Sequence, residues 1–294
     1  NNDSSLVTLN GTGSVATINL NGADHIRFRK LSISTSTYRV FEVGNTATHN
    51  IIENCYLQGY NISTTSNIYS VIYSVATTFQ DSSNTIRNNR IRYGSYGIYW
   101  NGFTTGTYEP GLVIENNQIL DSYYSGIYMT YHNSPQISRN IIDLHSVNYA
   151  GGRGLWMQYC NGFTQVTFNQ IRARQYGLYY GNSIASSTQR ALISNNFISL
   201  MAYTGTTLYG LYDISSQFVD YFHNSVSTQN LNSTSTHYTM YTNGSQHNQF
   251  RNNIFNNNGP AGTPNFASYI NAGSGTTFDY NDYWVIAGSS NLAY

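Results

Sequence analysis

Apolar and polar residues alternate along most of this chain, and one phrase recurs through the alternation: apolar, two residues, Asn, one residue, apolar. It reads Ile86-Arg87-Asn88-Asn89-Arg90-Ile91, Ile114-Glu115-Asn116-Asn117-Gln118-Ile119 and Ile137-Ser138-Arg139-Asn140-Ile141-Ile142. Further copies centre on Asn169, Asn196, Asn224, Asn253 and Asn281, and two degenerate copies place Leu31 and Cys55 at the Asn position. Successive equivalents lie 24, 34, 28, 23, 29, 27, 28, 29 and 28 residues apart. Strand-like alternation at a repeat of that length predicts a solenoid, in which each coil buries its apolar side chains against its neighbours.

A second phrase follows the first: Gly97-Ile98-Tyr99-Trp100, Gly126-Ile127-Tyr128-Met129, Gly154-Leu155-Trp156-Met157, Gly177-Leu178-Tyr179-Tyr180 and Gly210-Leu211-Tyr212-Asp213. Strand side chains point to opposite faces in turn. With Ile98, Ile127, Leu155, Leu178 and Leu211 directed inward, Trp100, Met129 and Met157 follow them. Tyr73, Tyr99, Tyr128, Trp156, Tyr179, Tyr212 and Tyr241 then form one outward column, with Phe41 as its extension. The glycines two places before the rings predict a shallow trough beside them.

The spacing from Asn to the second phrase is 8–9 residues after Asn89, Asn117 and Asn169 but 14–15 after Asn140, Asn196, Asn224 and Asn253. Loops such as 145–153 and 202–209 are therefore expected as insertions on one edge of a constant cross-section. No sustained 3.6-residue apolar stripe announces a helix. Pro110, Pro135, Pro260 and Pro264 fall between the phrases, as strands that need every amide donor require.

The paired phrases resemble the right-handed parallel β-helix repeat family, the pectate-lyase-like superfold, over roughly residues 26–283. The resemblance implies an all-β chain, a single right-handed parallel β-helix of about ten coils, close to 48 Å long at about 4.8 Å per coil. Residues 1–25 would be a strand or partial coil leading into a solenoid over 26–294. The resemblance also implies that the Asn column sits at a tight turn, its amides bonded from coil to coil. Side-chain chemistry supports this, because a stacked amide has two donors and an acceptor oxygen with which to satisfy its neighbours. Asn also tolerates the left-handed conformation of sharp turns. With Leu31 and Cys55 in its first two positions, the ladder should begin at Asn89. On activity the resemblance is silent, because lyases, hydrolases, tailspikes and non-catalytic surface proteins share the architecture.

Composition narrows the picture. Only 9% of residues are charged, and 13 basic residues balance 13 acidic ones. That neutrality argues against a nucleic-acid partner, which needs a concentrated basic stripe, and no apolar run is long enough to span a membrane. Asn, Ser, Thr, Gly and 28 tyrosines replace the missing charge, a balance expected of extracellular or cell-surface proteins. The chain begins at Asn1, as a processed protein or an excised segment would. Cys55 and Cys160 lie about three coils apart, or around 14 Å, too far for a disulfide, and are expected as buried thiols. Neither end carries an amphipathic cap, so further repeats, other domains or copies are expected to stack there.

Catalytic patterns are weak. Sugar hydrolysis needs paired carboxylates, yet Asp121, Asp143, Asp213, Asp220, Asp279 and Asp282 share no column. The best polar constellation is Asp143, His145, Arg172 and Arg174, with Arg92 two coils earlier in the Asp143 column. It has the residue types for deprotonating an acidic sugar, or for a solvated ion pair. His25, His49, His132, His145, His223, His237 and His247 lack metal-ligand spacing and read as turn or surface residues. No metal or cofactor is expected. The primary expectation is a secreted or surface structural and adhesive module whose partners are polysaccharide or other surface proteins. The alternatives are a glycan-binding solenoid using the aromatic column and a polysaccharide lyase or hydrolase with an atypical site.

Overall fold

The computed structural model describes residues 7–13, 15–76, 80–104, 108–202, 205–230, 235–259, 264–285 and 290–293. Three parallel sheets of 11, 12 and 10 strands run along a single right-handed β-helix. A coil visits each sheet once, as in Gln118–Leu120, Ser125–Asn133 and Gln136–Ser138. A 3₁₀ turn at Asn67–Tyr69 is the one helical element among the described residues.

The Asn phrase joins the third sheet to the first. Val113–Glu115 ends a coil, Asn116 and Asn117 make the bend, and Gln118–Leu120 starts the next. Here the structure corrects one expectation. The left-handed residue is the one before the ladder Asn, at φ 56° in Asn88, 54° in Asn116, 56° in Arg139 and 59° in Phe168. His223 adopts the same turn at φ 56° where most other coils have Asn. Freed from the bend itself, the ladder Asn points its amide inward.

Between its two ends, each ladder oxygen accepts twice and each ladder nitrogen donates twice. Asn117 Oδ1 accepts from the Asn89 backbone N–H at 3.0 Å and from Asn89 Nδ2 at 3.1 Å. Asn117 Nδ2 in turn donates to Asn140 Oδ1 at 3.0 Å and to the Ile86 carbonyl at 2.9 Å. The pattern continues unbroken through Asn169, Asn196, Asn224 and Asn253 to Asn281. It starts at Asn89, whose oxygen accepts the Cys55 N–H at 2.9 Å.

Inward columns form one continuous core. Ile91, Ile119, Ile142, Ile171 and Ile198 stack in the first sheet, and Ile98, Ile127, Leu155, Leu178 and Leu211 in the second. All are fully buried, as are Trp100, Met129 and Met157. Cys55 and Cys160 are buried free thiols.

Phe41 does not extend the outward column: it registers with Ile72 inside, and Glu42 takes the place beside Tyr73. Nor do the glycines leave an external trough. A Cβ on Gly154 would lie 2.6 Å from the Gly177 carbonyl oxygen and collide with Ile171, and Gly97, Gly126, Gly177 and Gly210 face equivalent clashes. Glycine is needed there because the second sheet closes onto the first-sheet Ile column, leaving no room for a methyl.

Polar groups inside the solenoid were hidden from the pattern. His132 and His237 are fully buried, against the expectation of turn or surface positions, whereas His25, His49, His223 and His247 do occupy left-handed turns. Asp81, Glu109 and Asp213 are also buried. Pro260 and residues 203–204 of the 202–209 loop lie outside the described residues.

Candidate functional site

The seven outward rings stand in one register, Tyr73, Tyr99, Tyr128, Trp156, Tyr179, Tyr212 and Tyr241, and Tyr269 adds an eighth. Coil spacing brings them face to face. Tyr73–Tyr99 centroids are 5.5 Å apart at 11°, Tyr99–Tyr128 4.9 Å at 4°, and Trp156–Tyr179 3.7 Å at 8°. Tyr212–Tyr241 and Tyr241–Tyr269 continue at 4.9 and 4.7 Å. Rings in these stacked pairs therefore occupy much of each other's faces and offer edges outward, whereas Tyr179 and Tyr212 are tilted by 35° at 5.0 Å.

A second aromatic row lies beside the first. Tyr176, Tyr209, Tyr238 and Phe266 register with one another, and Tyr96 occupies the same row at the other end. They meet the first row edge-on, as in Tyr209–Tyr212 at 4.7 Å and 66° and Tyr238–Tyr241 at 5.1 Å and 76°. Such T-shaped pairs set the positive edge of one ring against the negative face of the other. Arg153 takes the place of a ring in this row, its guanidinium 4.1 Å from the Trp156 centroid and 4.6 Å from that of Tyr124. The second row was missed in the sequence, although Tyr directly before Gly at 96, 176 and 209 was its signal. Burial raises the hydroxyl pKa of Tyr73, Tyr176, Tyr179, Tyr238 and Tyr241, and that of Tyr128 to about 12, so these hydroxyls stay neutral at ordinary pH.

The polar constellation lies on the first sheet and the corner after it. Asp143 and Arg172 are register partners joined by a 3.1 Å ion pair, and the His145 N–H donates to Asp143 Oδ1 at 3.0 Å. His145 Nε2 donates to the Ala173 carbonyl at 3.1 Å, and Arg174 donates to the carbonyls of Met201 and His145. The four are thus brought together but are bonded into the corner. Burial, with Arg172 next in weight, lowers the His145 pKa and favours the neutral ring. Two coils before Asp143, Arg92 pairs with Asp121 of the intervening coil at 2.6 Å, beside a cleft of about 340 Å³ lined by Asn61, Tyr93, Tyr123 and Asn148.

A buried acidic cluster fills part of the interior. Glu109 accepts the Trp100 indole N–H at 3.0 Å and the Asp81 backbone N–H, and the carboxyl of Asp81 accepts the Ser74 hydroxyl at 2.9 Å. Burial pushes Glu109 up to about 7 and His132, whose Nδ1 lies 3.8 Å from it, down to about 4. Among the described residues no group of three or more His, Cys, Asp or Glu is placed to hold a metal ion.

Comparison with known proteins agrees with this architecture. Residues 75–161 match the family model described as a right handed beta helix region. No curated protein matches the sequence. Among solved structures, the Dettilon tailspike protein superposes with a TM-score of 0.52 at 10% identity, over 94% of this chain and 53% of that one. The chain thus spans about half the length of that tailspike. The periplasmic alginate epimerase AlgG gives a TM-score of 0.44 at 10% identity, over 87% of this chain and 77% of that one. The Streptococcus pneumoniae surface protein and adhesin PfbA also gives 0.44 at 10% identity, over 92% and 66%. At these identities the likeness is one of fold alone.

Proposed function

We propose that this solenoid is a structural and adhesive module of an extracellular or cell-surface protein, and that the aromatic face of the second sheet is its contact surface for polysaccharide. The observation that carries this reading is the double aromatic array, a partly exposed face whose first row spans eight coils from Tyr73 to Tyr269, with Tyr179 buried in that row and Tyr96 in the second. Aromatic bodies with polar tips suit contacts that are partly apolar and partly hydrogen-bonded. Because the rings stack on one another, a partner meets edges and hydroxyl groups along the rod rather than inserting a sugar between ring faces. The contact is therefore extended and repetitive, as an adhesive surface requires, and each coil adds a small increment.

The catalytic alternative draws less support, because Asp143, His145, Arg172 and Arg174 already satisfy one another and nearby carbonyls. Pull-down of the full chain on a panel of insoluble polysaccharides tests the proposal. We expect retention that is lost in the Trp156→Ala, Tyr212→Ala pair while circular dichroism is unchanged. Retention unaffected by the pair, or no retention on any polymer, removes the adhesive assignment. Release of sugars from the panel that stops in Arg172→Ala replaces it with an enzyme.

A further inference from the structure

We propose that the N-terminal coils carry a second surface, a cationic patch that binds an acidic polysaccharide through its carboxylate or sulfate groups. The patch uses none of the residues of the aromatic face and does not depend on that reading. It is built at the bend from the third sheet to the first. Arg29, Glu53, Arg87 and Glu115 occupy one outward column, with Arg27 two residues before Arg29 on its strand. Lys30 stands in the bend itself, and Arg90 lies just beyond the bend two coils later.

The charges in this patch do not cancel. Glu53 is 2% exposed and receives three guanidiniums, Arg27 at 2.5 Å, Arg87 at 2.8 Å and Arg29 at 3.3 Å. Burial alone would raise the pKa of Glu53, yet Arg27 and Arg87 hold it below the usual carboxylate range. One fixed negative charge thus anchors three positive ones and pre-orients them. Arg87 also lies 3.9 Å from Glu115. With Arg90, four guanidiniums face two carboxylates among the described residues, whereas the chain as a whole has 13 of each sign. Asp24, at the far end of the same coil's third-sheet strand, is bonded to Thr48 instead.

Arg27 and Arg29 remain 51% and 53% exposed, so their outer N–H groups face solvent while Glu53 lies beneath them. A planar fork of donors held in place suits carboxylate or sulfate oxygens better than a flexible ammonium does. Column neighbours sit at roughly 4.8 Å and cations two coils apart at about 10 Å, which places them at intervals along a chain rather than around one small anion. The patch is short and the remainder of the chain is net acidic, so the surface fits an extended acidic glycan rather than a nucleic acid, which engages a longer basic stripe.

The test is retention of the full chain on immobilised alginate, heparin and neutral dextran, with a single-stranded oligonucleotide of matched charge as competitor. We expect retention on alginate or heparin but not on dextran, released by salt. Arg29→Gln with Lys30→Gln and Arg90→Gln should weaken it at least ten-fold, and Glu115→Gln should strengthen it at least two-fold. Arg172→Gln, an exposed cation elsewhere, should leave it unchanged. Retention on alginate alone identifies carboxylates as the ligand and on heparin alone sulfates. Absence of retention, equal weakening by Arg172→Gln, or preferential displacement by the oligonucleotide overturns the proposal.

Discussion

Replacing Asn196 with Leu removes one rung from the middle of the amide ladder, and the structure gives the size of the loss. Asn196 Oδ1 accepts from the Asn169 N–H and from Asn169 Nδ2, both at 3.0 Å, and Asn196 Nδ2 donates to the Val166 carbonyl at 2.8 Å and to Asn224 Oδ1 at 3.0 Å. Asn224 Oδ1 keeps the Asn196 backbone N–H, and Asn169 Nδ2 keeps the Ile137 carbonyl. The buried Asn169 N–H loses its acceptor outright, at a cost of about 1–3 kcal/mol, and the other bonds are worth about 0.5–1.5 kcal/mol each. We therefore expect a loss of about 3–7 kcal/mol. Asn281→Leu is the matched control. It ends the described ladder and is partly exposed, so water can replace much of what it gives and the cost should be nearer 1 kcal/mol. Unfolding midpoints in urea, read together with amide hydrogen exchange across residues 165–228, measure both changes, since long repeat arrays need not unfold in one step. Equal losses at positions 196 and 281, or an unchanged midpoint for Asn196→Leu, would refute the ladder as a source of stability.

Other outcomes follow from the same geometry. Glu109 in the folded chain titrates near 7 against an ordinary 4.5, so its stabilising contribution is complete below pH 4.5 and lost as pH rises through 7. That difference is worth about 3 kcal/mol at about 1.4 kcal/mol per pH unit. The unfolding free energy of Glu109→Gln minus that of wild type should therefore rise by that amount between pH 4 and 8, on top of a constant offset, and a flat difference would exclude the buried acid. His132, lowered from 6.5 to about 4, acts in the opposite sense, its contribution present above pH 6.5 and lost as pH falls through 4. Gly154→Ala should destabilise by about 1–3 kcal/mol in a urea melt, because the new methyl meets the Gly177 carbonyl and Ile171. Cys55 and Cys160 should resist a thiol reagent in the native protein and react fully in denaturant, since burial raises both thiol pKa values.

That the strands run parallel came from the resemblance of the paired phrases to the β-helix repeat family. The repeat phrase itself determined that this chain is a solenoid, where its turns fall, and most of the side chains that face in, though not Phe41. That was possible because a solenoid core is local: each inward residue packs against its equivalent one repeat away, so periodicity and contact coincide. The same logic makes the column from Tyr73 to Tyr241 legible in the repeat itself. Tertiary structure decided what periodicity does not carry. Whether rings one coil apart stack face to face depends on their torsions, and the role of Gly154 depends on how closely one sheet approaches another. The burial of His132 and Glu109 depends on the short strand Glu109–Pro110 pairing with Ser125–Asn133, and the surplus charge around Glu53 depends on Arg27, Arg29 and Arg87 converging from two coils. The sequence shows balanced charge because composition sums over the whole chain. A partner meets the local field, and only the fold sets which charges lie together.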